Sequence, residues 1–207
     1  MDIKSSSVQA FLDELASSSA TPGGGAAAAL AGAASAALIG MVCSLTVGRP
    51  RFAAAEDEVR AALAQAETLR GQLVALAEAD TGAFNQVMAA YRLPKDGDEQ
   101  RSARQTAIQA ALKQATQVPL ETAIACAAAL RLVGRIIAAI NPNALSDAGT
   151  AAVLAEAGLR GAQFNVAVNL AGIQDAEFVQ EARQALAQAL EGADEERERV
   201  LAYVLGA

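Results

Sequence analysis

The sequence predicts an all-α protein, a bundle of about six helices, several of them long, around a buried central helix rich in alanine and glycine. Three observations carry this expectation. Hydrophobic residues fill 53% of the 207 positions but aromatic residues only 3%, so the apolar bulk is alanine, leucine and valine, which suits helices packed at short distance better than sheets. Apolar residues recur at helical spacing over long stretches without proline. The breaks between those stretches are short and built from proline, glycine and charged residues, and no segment alternates as a strand does. A chain of this length fits one domain, taken as residues 1–207.

The first helix is short. Phe11, Leu12 and Leu15 give it an apolar side, while Asp13 and Glu14 face water. The mixed charges of its opening residues fit a signal peptide poorly. "SSSATPGGG" then breaks it, because proline and successive glycines cannot sustain a helix. From about Ala26 to Val47 the pattern is helical and apolar on all sides. That run is long enough to span a bilayer, but it holds few large apolar residues and no second segment resembles a span, so it reads as a core helix. Taken by fours it gives Gly24, Ala28, Gly32, Ala36, Gly40, Ser44 and Gly48, one nearly bare face suited to a close helix contact, within the bundle or between subunits.

A long amphipathic helix follows over residues 52–91, with its seam through Val59, Leu63, Leu69, Leu73, Leu76 and Val87. "RLPKDGDE" ends it. Residues 98–140 form another helical stretch in which Pro119 marks a kink or a joint. "NPNALSDAG" is a loop whose Ser146 or Asp147 is suited to cap the next helix. The stretches 147–171 and 175–205 complete the set.

Composition also excludes functions. The net charge of −7 argues against nucleic acid as a main partner, because counterion release needs a basic surface. There is no histidine and there are two cysteines, Cys43 and Cys126, both in apolar surroundings, which leaves no ordinary zinc site and no histidine-activated nucleophile. The cysteines read as reduced packing residues of a cytosolic protein. Acid–base chemistry falls to carboxylates, lysines, hydroxyls or water.

Four places attract attention. Asp80 lies on the apolar seam of its helix, seven residues after Leu73 and four before Phe84. A carboxylate there is either bonded to a neighbouring helix, turned to solvent, or functional, and such desolvated acids are enriched at functional sites. Lys95 stands just past the end of that helix, in a position to be a solvated loop residue or to serve one pocket with Asp80. "TPGGG" offers bare backbone N–H groups at a helix start, but it is neither a Walker loop nor a dinucleotide fingerprint. Asp147, Asn165 and Asn169 share a helix face. Asp147 and Asn165 lie roughly 27 Å apart by helical rise, too far to touch one reacting atom, and capping or interhelical hydrogen bonds would also explain them.

Four blocks, in order along nearly the whole chain, resemble the cyclodeaminase/cyclohydrolase family: "FLDELASSSATPGGGAAAALAGAASAALIGMVCSLTVGR", "EADTGAFNQVMAAYRLPK", "VPLETA" and "LSDAGTAAVLAEAGLRGAQFNVAVNL". That family includes the C-terminal domain of formiminotransferase-cyclodeaminase and stand-alone methenyltetrahydrofolate cyclohydrolases, and the last block is similar to the stand-alone branch. The resemblance implies a helical homodimer that takes a folate as substrate; the reduced cysteines and the core reading of the apolar helix add a cytoplasmic location and no membrane partner. It also implies a catalytic aspartate at Asp80, with Lys95 as an assisting group. Folate would bind near the loop Pro22, Gly23, Gly24 and Gly25, with Arg49, Asn141, Asn143 and Asp147 as further binding candidates. This chain has "NPN" where the family commonly has two asparagines after a glycine, and "GGGA" where "GGGS" is frequent, so the loop at Pro142 is altered and no hydroxyl follows the glycines.

The reaction so implied is hydrolysis of 5,10-methenyltetrahydrofolate to 10-formyltetrahydrofolate, with ring closure of formiminotetrahydrofolate by loss of ammonia as the alternative. A helical folate-binding module without turnover is the reading from another class. An ionised Asp80 suits the cationic bridge by charge and can take a proton from the attacking water, and the chemistry asks for no metal or redox cofactor.

Overall fold

The computed structural model describes residues 3–206 and contains seven α-helices and no strand among them. They are α1 (Val8–Leu15), α2 (Gly24–Ser44), α3 (Glu56–Tyr91), α4 (Asp98–Ile136), α5 (Leu145–Leu170), α6 (Ala176–Leu190) and α7 (Ala193–Leu205). Short 3-10 turns, Pro50–Ala55 and Pro142–Ala144, lead into α3 and α5. The expected all-α bundle is present. Its last stretch, expected over 175–205, is two helices, parted at Gly192, which takes the left-handed conformation (φ 68°) that glycine adopts without penalty.

Helices α2, α3, α4 and α5 form a four-membered bundle in which α2 and α4 each pack against both α3 and α5. Helix α6 lies on α4, and α7 closes against α4 and α5. The core is built as the composition foretells: Ala29, Ala36, Ile39 and Val42 of α2 meet Val59, Leu73 and Ala77 of α3, Leu130 and Val133 of α4, and Ala152, Leu159 and Val166 of α5.

Close approach is enforced by glycine. A Cβ on Gly158 of α5 would stand 2.8 Å from the backbone oxygen of Ala28 and 3.1 Å from the nitrogen of Gly32, so α5 rests on the α2 main chain. A Cβ on Gly32 would meet Cys126 Sγ at 2.5 Å. Ser35, fully buried on α2, donates from Oγ to the Ala151 carbonyl at 2.7 Å and so carries no unmet polar group into the core. The bare stripe from Ala28 to Gly40 is therefore spent inside the chain, against α3, α4 and α5. The expectation that this stripe is the subunit contact is corrected: the outward face of α2 is a different one. By length and composition alone α2 and α4 are each apolar enough to cross a membrane, and most of each apolar window is covered by the other helices.

Local signals explain the boundaries. Ser7 Oγ accepts from the Ala10 N–H at 3.1 Å and starts α1, whose Phe11 is buried. Asp175 caps α6 by accepting from the N–H groups of Glu177 and Phe178, and its other oxygen takes Lys113 Nζ at 2.6 Å. Helix α5 begins one residue before the expected capping pair. Its N-cap is Ala144, so Ser146 and Asp147 sit in the first turn, and the side chain that caps here is Asn141, which accepts from the Asn143 N–H at 3.1 Å.

Pro119 does not divide α4, which runs unbroken through it. Proline lacks the N–H that would bond the carbonyl four residues earlier, so the carbonyl of Ala115 is left over. Asn169 of α5 supplies the missing donor: its Nδ2 lies 2.8 Å from that oxygen.

Candidate functional site

Helix α2 starts at Gly24, but α3, α4 and α5 continue past that level. In line with α2, beyond its first residue, they enclose a cavity of about 270 Å³. Its walls are Asp80, Ala83, Phe84 and Val87 from α3, Ala115 from α4, and Asn165 and Asn169 from α5, with Ala20, Thr21, Gly23 and Gly24 as the lip.

Asp80 is half-buried, with its Oδ2 3.0 Å from the N–H of Ala26. That donor is one of the first-turn groups a helix cannot satisfy internally, and α2 has no side-chain cap of its own. Asp80 thus performs the capping from another helix. Burial pushes its carboxyl above the ordinary carboxylate range, and the Ala26 hydrogen bond pulls partly back. The second oxygen occupies the place of a side chain: a Cβ on Gly25 would fall 2.1 Å from Oδ1. Gly25 is there because the acid fills its space.

The two asparagines complete the polar lining. Asn165 donates from Nδ2 to the Gly161 carbonyl at 2.9 Å, as Asn169 does to Ala115. Their amide oxygens have no protein donor among the described residues. The cavity therefore presents a carboxylate and two amide oxygens, and no cation among its lining residues. Such a set attracts a flat cationic or N–H-bearing group, with Phe84 and Val87 offering apolar contact.

The expected site residues fall into three places. Asp80 and the loop Pro22, Gly23, Gly24 and Gly25 are together. The Thr21–Pro22 peptide is cis, and Pro22 is buried. Arg49, Asn141, Asn143 and Asp147 gather at the opposite end of α2, whose 21 residues rise about 30 Å. There Asn141 is structural: its N–H donates to Thr46 Oγ1 at 3.0 Å, its Nδ2 to the Leu45 carbonyl at 3.3 Å, and Arg49 Nε reaches the same carbonyl at 3.2 Å. Lys95 stands by itself, exposed in the connection between α3 and α4, and is not among the cavity's lining residues. Asn165 and Asn169, four apart on α5, line the cavity, whereas Asp147, with which they share a helix face, does not. The signal that singles them out is the pair of glycines, Gly158 and Gly161, that brings this end of α5 onto α2.

Cys43 and Cys126 are buried and unpaired, and burial pushes their thiols up to about 11 and about 12, so both remain protonated packing groups. Among the described residues no three histidine, cysteine or carboxylate side chains gather in a way that could hold a metal ion.

A helical bundle whose one acid is held at a glycine-rich helix start, beside two amide oxygens, is a small-molecule site with the means for proton transfer. The chain belongs to the formiminotransferase-cyclodeaminase family, whose model matches residues 7–188. It is 43% identical over 193 residues to a methenyltetrahydrofolate cyclohydrolase of Methylorubrum extorquens, covering 93% of each chain. It is 35% identical to a formimidoyltransferase-cyclodeaminase of Rattus norvegicus, of whose length it spans 36%. Its fold matches the crystal structure of a formiminotetrahydrofolate cyclodeaminase from Thermotoga maritima with a TM-score of 0.89 and 28% identity, covering 99% of this chain and 98% of that one.

Proposed function

We propose that the protein is a methenyltetrahydrofolate cyclohydrolase, which opens the cationic one-carbon bridge of 5,10-methenyltetrahydrofolate with water to give 10-formyltetrahydrofolate. The observation that carries this reading is Asp80, a half-buried carboxylate anchored by the Ala26 N–H in a cavity that is otherwise apolar or rich in acceptors. The 43% identity to the Methylorubrum cyclohydrolase along nearly its whole length supports the choice of reaction.

The substrate bridge is an amidinium, and desolvated acceptors favour its charge. Asp80 takes a proton as water adds to the bridge carbon, giving a neutral adduct. The bond from that carbon to N5 then breaks, N5 receives the proton from Asp80, and the adduct's hydroxyl proton leaves to solvent as the formyl group forms. The balance is one water consumed and one proton released. The amide oxygens of Asn165 and Asn169 are placed to orient N–H groups of the pterin. Lys95 has no part in this scheme.

The reaction calls for no metal or redox cofactor. We place the enzyme in the cytoplasm as a homodimer without a membrane partner, and its net charge of −7 is in keeping with no nucleic acid partner.

The fold shared with the Thermotoga cyclodeaminase supports one second reading, closure of formiminotetrahydrofolate with release of ammonia. Following methenyl absorbance with each folate separates the two. Loss of absorbance from the methenyl compound, at a rate proportional to enzyme, supports the hydrolase. A gain in absorbance from the formimino compound, with ammonia and no hydrolysis, replaces it.

A further inference from the structure

Asn165 and Asn169 both line the cavity, but their amides are fixed by different means. Asn165 Nδ2 donates at 2.9 Å to the carbonyl of Gly161, four residues earlier in its own helix, which the backbone ladder of α5 already serves. Asn169 Nδ2 crosses to α4 and donates at 2.8 Å to the carbonyl of Ala115. Pro119 is buried within α4 and has no N–H, so that carbonyl lacks its helical donor. An Asn169 amide turned over would set oxygen against oxygen and leave the carbonyl of an 8%-exposed residue unmet. The proline thereby decides which end of the amide enters the cavity. It is the oxygen, which takes no hydrogen bond from the described residues.

That oxygen stands at a defined level. Helices α3 and α5 both run opposite to α2, with Asp80 against Gly25 and Asn165 against Gly24. Asn169 lies one turn farther out, a rise of about 6 Å along α5. This is the scale of the separation across a bicyclic pterin, from the nitrogen that carries the one-carbon bridge to the far edge of the pyrimidine ring. A pterin whose bridge lies at Asp80 therefore presents its pyrimidine edge to Asn169, with Phe84 and Val87 of α3 beside the ring. That edge carries N–H donors at N3 and at the 2-amino group.

We propose that Pro119 is a positioning residue for substrate recognition: by freeing the Ala115 carbonyl it locks the Asn169 amide with its oxygen toward the cavity, and that oxygen selects the 2-amino group of the pterin. Pro119 itself touches no substrate and acts through Asn169. The assignment of the ligand as a pterin rests on the proposed function; the direction of the amide does not. Selection follows from polarity, because a ring with a carbonyl in place of the amino group would bring acceptor against acceptor where neither can turn away.

Pterin and lumazine test it. They share a ring system and differ at position 2, an amino donor in pterin and a carbonyl acceptor in lumazine, whose N1 carries the balancing proton. Both fluoresce, so binding to the intact protein is read by titration without turnover. The wild type should bind pterin at least about tenfold more tightly than lumazine, the scale of a buried acceptor left without a donor. Pro119→Ala gives the Ala115 carbonyl an N–H of its own and frees the amide to turn, so the ratio should fall several-fold, chiefly through tighter binding of lumazine. Adding Asn169→Asp to Pro119→Ala installs a side chain that only accepts, and the preference for pterin should return. A proline with a merely structural part would weaken both ligands together and show no such return.

Equal binding of the two rings by the wild type, no measurable binding of either, a ratio unmoved by Pro119→Ala, or a double variant that stays indifferent overturns the proposal. Hydrolysis of the methenyl folate is followed separately. A wild type that prefers pterin but turns over no folate loses the proposed function and keeps this selection, whereas one that hydrolyses the folate and ignores position 2 does the reverse.

Discussion

Gly25 and Asp80 occupy one another's space: a side chain on the glycine would lie 2.1 Å from the carboxylate oxygen, 55 positions away in the sequence. The glycine-rich loop is therefore a seat for an acid from another helix, not a phosphate cradle. Gly25→Ala should leave the bundle folded, at a cost of roughly 1–3 kcal/mol for the crowded atom, but displace Asp80 and lower kcat/KM by about tenfold or more. Thermal unfolding and steady-state kinetics on the one variant check both parts. A fully active Gly25→Ala protein would show that the acid works from another position.

Asp80→Asn keeps an oxygen that can accept from Ala26 and removes the base. Turnover should fall by at least about 100-fold while the helical signal is unchanged. Near-normal hydrolysis by this variant would remove the proton acceptor from the mechanism.

The pH dependence has a definite sign. Burial raises the Asp80 carboxyl above its ordinary value. Activity needs the ionised form, so kcat/KM should fall as pH drops through an acid limb lying above the ordinary aspartate range. For stability, the folded state binds the proton more tightly than the unfolded state, so this residue's contribution weakens as pH rises from the unfolded value through the folded one. Asp80→Asn should lose that slope, and chemical denaturation across the interval should show its stability relative to wild type improving with pH.

Asn169→Ala strands the carbonyl of Ala115 on an almost buried residue, and should cost roughly 1–3 kcal/mol. In a Pro119→Ala background the restored N–H of residue 119 can bond that carbonyl itself, so the same change should cost distinctly less. A double-mutant cycle measures the coupling, and strict additivity would mean that the asparagine does not answer the proline.

Gly158→Ala pushes a methyl into the α2 main chain, where neither the Ala28 oxygen nor the Gly32 nitrogen can step aside. A loss of roughly 1–3 kcal/mol should follow, or a fall of several degrees in Tm by differential scanning calorimetry. An unchanged Tm would mean that α5 can slide on α2.

What sequence could reveal here follows the range of each interaction. The helices are written in local spacing, and Asp80 declares itself by standing on the seam defined by Leu73 and Leu76. The direction of the bare stripe on α2 is not local, since two faces of that helix are apolar and only the positions of α3, α4 and α5 decide which is inside. The bond from Asn169 to Ala115 joins residues 54 apart, and its cause, Pro119, suggests a break when read alone. The break at Gly192 is hidden in the sequence because the residues on both sides continue the helical pattern.

Asp80 sits well inside a 36-residue helix and not on a loop, so its aim is inherited from every turn before it. One residue added to or lost from α3 between Leu73 and Asp80 would swing the acid by about 100° around the helix axis, out of the pocket and toward a neighbour. Substitutions along that segment can be absorbed side chain by side chain, whereas a change in its length cannot. The enzyme's variation should accordingly be found in its connections and its outer helices, with the count of residues leading to the acid held constant.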